Sequence, residues 1–208
     1  MTPIKIDKDI TRLLNKLNAT HEPLFLDVTP EPNARIGDCF IIVREKVKKH
    51  GGRMILGWQI WKTPNLIEAE FHAVWENPDE ELIDLTPKED NVKRILFVED
   101  ENSIYEDRQI DNIRLNISSN TLVDDLITVL SATFRFYNMG ERADLYDLSE
   151  VLNEKQMNHI KYLKEMQQFI NILLQNIGKV TSHCPCRSGL KFKDCHRKNF
   201  ESKMAKII

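Results

Sequence analysis

The chain lacks any run of 18 consecutive apolar residues, so no stretch reads as a membrane-spanning helix. Its opening, Met1-Thr2-Pro3-Ile4-Lys5-Ile6-Asp7, has no apolar core of a secretory signal. Cysteine is scarce and oddly placed. Of four in 208 residues, Cys39 stands alone in the first 180 and the other three crowd between positions 184 and 195. That distribution excludes a disulfide framework, and the expected setting is soluble, cytoplasmic and reducing. Internal repeats and low-complexity segments are missing too, which excludes solenoid architectures. Neither a membrane nor DNA is expected as a partner.

At this length the chain can bury a proper core, as one large domain or one domain with an appendage. Charge divides it unevenly. Residues 187–208 hold seven Lys and Arg against Asp194 and Glu201, a net of +5, and since the whole carries −3, residues 1–186 carry −8. An acidic body with a basic tail suits an acidic partner for the tail, protein or RNA; the plainer reading is a solvated surface.

The apolar spacing predicts a short helix over 9–17, an extended loop over 21–35, and a helix opened by Gly37-Asp38 that runs to Lys49. Strands are predicted over 54–61, 92–98 and 110–117, with a hairpin over 70–86. From Thr121 the period turns helical, through Leu122, Leu126, Val129, Leu130 and Phe134 and then over 152–177, where Gly178 reads as the C-cap. The fold class is α+β.

The hairpin carries the first candidate chemistry. With its turn centred on Pro78, His72 stands directly opposite Asp84 and on the same face, because strand side chains alternate with period two. A histidine beside a carboxylate is the base-and-orienter half of a catalytic triad. The nucleophile would be Cys39, at the start of its helix, where unpaired N–H groups favour the thiolate and the neighbouring Asp38 opposes it. The plainer readings are a small buried cysteine, a core histidine and a turn-edge carboxylate. Two amides compete as oxyanion donors beside the Cys39 N–H: Asn33, six residues upstream, and Gln59 on the 54–61 strand.

Helix-start cysteine, then His72-Ala73-Val74-Trp75, then Asp84-Leu85-Thr86-Pro87, is an order that resembles the transglutaminase-like branch of the papain-like cysteine enzymes. The likeness covers about residues 30–100. It implies a papain-like or transglutaminase-like domain over 20–118, preceded by the 9–17 helix, with Cys39 attacking an acyl or amide carbon, His72 as base then acid, and Asp84 orienting it. The chain departs from that pattern at Ile36-Gly37-Asp38, where an aromatic commonly precedes the cysteine.

The second candidate is compact. Cys184-x-Cys186 followed by Cys195-His196, with Ser188-Gly189 turning the chain between, offers four soft ligands for tetrahedral Zn²⁺ and leaves no open position, so the zinc is structural. His183 is a rival ligand outside the pattern. The stretch is similar to the SEC-C motif, Cys-Pro-Cys-Gly-Ser-Gly-x-Lys-Tyr/Phe-Lys-x-Cys-Cys/His, with Arg187 where glycine is usual. That resemblance implies a docking module at 182–200, after a helical region at 119–180, with an export chaperone-like or ribosome-like protein partner. It also leaves an alternative for the whole chain, a non-enzymatic adaptor. Metal loss from such an appendage is expected to loosen only the last ~25 residues.

Overall fold

A computed structural model describes residues 1–145, Leu148 and 151–206. The chain forms two compact units, Met1–Leu115 and Asn116–Ile208. No helix among the described residues is long and apolar enough to cross a membrane.

The first unit is a bent antiparallel sheet with two helices. Helix α1 (Lys8–Leu17) starts where the Asp7 carboxylate accepts from the Asp9 and Ile10 N–H groups, and buries Ile10 and Leu13. Strand β1 (Leu24–Asp27) follows. The expected loop over 21–35 thus holds a strand, whose four residues are too few, between Pro23 and Pro30, to show a period. Helix α2 (Cys39–His50) ends at Gly51, and β2 (Arg53–Lys62) then pairs along its whole length with β3 (Leu66–Glu76). This long hairpin is the backbone of the sheet. Strand β4 (Leu82–Ile83), β5 (Arg94–Glu99) and β6 (Ile113–Asn116) complete it, in the order β1-β5-β2-β3-β4 with β6 also on β3.

The two ends of the sheet nearly close on each other. Val28, past β1, bridges Asp84, past β4, and the Thr29 N–H donates to the Asp84 carbonyl at 2.8 Å. One face then encloses Leu26, Val28, Ile55, Val74, Ile95 and Phe97. On the other, Cys39 and Val43 of α2 pack against Ala73, Trp75 and Leu85. Gly57 has no room for a side chain, since a Cβ would run into the Val98 carbonyl and the Phe97 ring.

The second unit is helical. Helix α3 (Leu122–Tyr137) packs on α4 (Glu154–Gln175), which opens with a capping box between Asn153 and Gln156. Helix α4 does not close at Gly178. Its C-cap is Asn176, and the left-handed position is Ile177 (φ 55°). Gly178 is needed for closeness, its N–H donating to the Leu173 carbonyl at 2.6 Å where a Cβ would press on that turn. The knuckle over 182–198 and the short helix α5 (Phe200–Met204) share one apolar cluster with both long helices. Leu122, Val129, Leu163, Met166 and Ile170 meet Cys184, Phe192, Phe200 and Met204 there.

Candidate functional site

Strand β3 delivers His72 and the chain end after β4 delivers Asp84. His72 Nε2 lies 3.1 Å from Asp84 Oδ1, with the two side chains 5% and 0% exposed. The expected register is corrected, however. Trp75 pairs with Ile83 and Glu76 with Leu82, which puts Thr86, not Asp84, in line with His72. A shift of two keeps both residues on one face and makes the pair diagonal. The cause is local. Asp84 gives its backbone to β1, its N–H donating to the Asp27 carbonyl at 3.1 Å, so the hairpin ends at Ile83. The Thr86 N–H donates to Asp84 Oδ1 at 2.9 Å and fixes the carboxylate. The facing ring nitrogen is Nε2, which leaves Nδ1 to meet a thiol.

Cys39, 5% exposed, is the first residue of α2 and packs against Ala73, Trp75 and Leu85. Its thiol is near enough to the ring to act on it. Burial is the largest single influence on His72 and lowers it. The hydrogen bond the ring donates to Asp84, the Cys39 thiol and the Asp84 charge together reverse that and push the ring up to about 9. Asp84 is raised by burial but held below the usual carboxylate range by His72 and Lys88.

Lys88 is a member of this cluster that sequence reasoning missed. Its Nζ lies 2.7 Å from Asp84 Oδ2 and 3.3 Å from His72 Nε2, with the side chain 6% exposed. A lysine four residues after a carboxylate in a loop gives no periodic signal, and only the closure of the sheet turns it inward. The two candidate amides separate clearly. Asn33 is exposed in a left-handed turn (φ 67°), in a groove of about 250 Å³ beside α2. Gln59 is 1% exposed, shares the His72 face of the β2–β3 hairpin, and its Nε2 has no partner. A strap over 100–112 lies against α2: the Tyr105 ring stacks on Phe40 at 3.6 Å and 8°, and Asp107 binds Arg44 at 2.7 Å. Burial raises the Tyr105 phenol, helped by Asp107 and by Cys39.

In the second unit, Cys184, Cys186, Cys195 and His196 bring their ligand atoms within 4.8 Å of one another. Cys184 Sγ is 3.3 Å and Cys195 Sγ 3.4 Å from His196 Nδ1, and Cys186 and Cys195 sulfurs are 3.6 Å apart. A tetrahedron with the usual Zn–S and Zn–N lengths has edges of about 3.5–3.8 Å, so the four side chains fit the ion. Burial pushes the Cys184 thiol up to about 11, while the Ser188 hydroxyl and N–H bring Cys186 down to about 6; a bound divalent cation holds all three as thiolates. The Phe169 ring meets His196 edge-on at 4.6 Å, and the Tyr162 hydroxyl donates to its carbonyl. His183 is exposed and bridges Lys191 through the backbone, outside the ligand set.

Arg187 takes a left-handed conformation (φ 64°), which explains why glycine is usual in that place. Arg187→Gly should therefore stabilise the knuckle by about 1 kcal/mol. Chelator titration would register it as slower metal loss than wild type, and an unchanged rate would show that the strain is relieved elsewhere.

No curated protein and no solved structure matches the chain. One family model does, the SEC-C motif, over residues 182–198. Those residues are a SEC-C motif whose three cysteines and one histidine make a structural zinc site.

Proposed function

We propose that residues 1–115 carry a thiol enzyme acting on an acyl or amide carbon, as a cysteine peptidase, amidase or acyl transferase, with the zinc module as a separate docking element. One observation supports it above the others: a buried histidine hydrogen-bonded to a buried carboxylate, with a helix-start thiol near enough to influence the ring. The resemblance of this order to papain-like and transglutaminase-like enzymes agrees with it. In this reading His72 Nδ1 takes the Cys39 proton as sulfur attacks the carbonyl carbon. The imidazolium then returns a proton to the departing amine, leaving a thioester for water or a second amine. Asp84 stays ionised throughout. Zinc takes no part, its four positions being filled by protein.

Access is the demanding condition, since Cys39 is almost enclosed. Among the described contacts the strap meets α2 through a ring stack and an exposed ion pair, a light restraint in water, while its ends are anchored by Asp100 on Trp58 and Asn112 on Glu68. Tyr105→Ala should lift it and speed alkylation of Cys39 by iodoacetamide several-fold at neutral pH. His72→Asn in the same background should return the rate to that of an ordinary thiol. Zinc-loaded protein is the right sample, because the other three cysteines are then occupied. If His72→Asn leaves the rate unchanged, Cys39 is a core residue.

The burial of Cys39 is also what favours the rival reading, an adaptor that docks through its zinc module. The partner, whether protein or RNA, would meet exposed Arg187, Lys191, Lys193 and Lys198 around the knuckle.

A further inference from the structure

We propose that Lys88 is the positioning residue of the Cys39–His72–Asp84 site: its ammonium pins Asp84 Oδ2 so that Oδ1 faces His72, and its charge balances a buried Cys39 thiolate so that the site carries no net charge. The proposal rests on the enzymatic reading of this site.

The geometry divides the Asp84 carboxylate. Oδ2 goes to Lys88 Nζ at 2.7 Å, and Oδ1 takes His72 Nε2 at 3.1 Å and the Thr86 N–H at 2.9 Å. Lys88 reaches it from a fixed base, because Asp84-Leu85-Thr86-Pro87 is tied at both Asp84 and Thr86 and the proline stiffens the step before Lys88. The ammonium is the shorter of the two contacts, so it is the carboxylate and not the ring that takes its proton. His72 Nε2 is thereby left to donate to Oδ1, which keeps Nδ1 as the acceptor.

Charge counting gives the second part. Asp84 and a Cys39 thiolate supply two negative charges, and a protonated His72 supplies one positive. In a site where these side chains are no more than about a twentieth exposed, the remaining negative charge would be costly to bury. Lys88 cancels it. Among the described residues no other full charge shares the cluster: across β3 from His72 stands Gly57, and of the carboxylates on that face Glu70 accepts from the Trp61 indole, while Glu99 lies one strand further on β5. The Lys88 charge also opposes protonation of His72, which favours release of the proton to a leaving group.

The test uses full-length, zinc-loaded protein and NMR of the His72 ring. Lys88→Met keeps the apolar stem and removes the charge, and the His72 midpoint should rise by roughly one pH unit. Lys88→Arg should restore it to within a few tenths. Equal midpoints in wild type and Lys88→Met, or an arginine variant shifted as far as the methionine one, would overturn the proposal. Should Lys88→Met fail to fold, the wild type still decides. With Nζ 3.3 Å from Nε2, the Lys88 ζ resonance must move through the His72 midpoint, and a flat trace refutes the role. These readings need no reactive thiol, so they stand apart from the alkylation test of the enzymatic reading.

Discussion

Stripping zinc from the reduced protein should unfold residues 116–208 as a block while the fluorescence of Trp58, Trp61 and Trp75 stays as it was. All three tryptophans lie in the first unit, where their indoles donate to Asp100, Glu70 and the Gly51 carbonyl. The knuckle does not hang from α4 as an appendage. Phe192, fully buried, and Cys184 are part of the same cluster as Leu122, Val129, Leu163 and Met166. Arg197, the residue after the last ligand, grips buried Asp125 of α3 through Nε at 2.6 Å and Nη2 at 2.9 Å. Releasing the ligands withdraws Phe192 and Arg197 together, leaving a cavity between the helices and an unpaired buried carboxylate. Structural zinc contributes about 10–16 kcal/mol in small modules, against a total domain stability of about 5–15 kcal/mol, so the metal outweighs what two helices retain. Circular dichroism should lose most of the α3 and α4 signal. Loss confined to the last ~25 residues, with the helices intact, would restore the knuckle to an appendage.

The same packing shows where the sequence was informative and where it was not. The four zinc ligands were legible because metal chemistry fixes residue type and spacing over thirteen positions, whatever surrounds them. That Phe192 would be core to the helices was not, since a single aromatic between two lysines has no periodicity. The helices α3 and α4 followed from their apolar stripes. His72 and Asp84 were legible as one face of a hairpin, but their register was not. Register depended on which neighbour claimed the Asp84 backbone, and β1, unread in a proline-rich stretch, claimed it. Lys88 was hidden for the same reason: its burial follows from sheet closure, a long-range event that no local pattern records.

Asp84→Asn should destabilise the first unit by about 3–5 kcal/mol, the usual cost of removing one partner of a buried ion pair. Asparagine has nearly the same shape, so the loss is electrical. Lys88 Nζ would keep its position with no counter-charge, and the amide would offer a donor to one of two groups that are themselves donors. The pH dependence identifies the cause. In the wild type the His72 ring is up at about 9, against an ordinary value near 6.5. A group raised on folding stabilises fully below its unfolded value, and the benefit is lost as pH rises through the folded one. His72 thus contributes about 3 kcal/mol at pH 6 that disappears between pH 6.5 and about 9. Without Asp84 the ring loses two of its three upward influences, leaving the Cys39 thiol alone against burial and Lys88. Most of its contribution at acid pH is then lost. Urea unfolding followed by tryptophan fluorescence at pH 6, 7.5 and 9.5 would show the difference between wild type and variant shrinking as pH rises. Alkylation of Cys39 should fall with it, since the imidazolium that supports a thiolate is gone. A variant as stable as wild type, with the same slope against pH, would mean that Asp84 neither holds the ring nor balances Lys88.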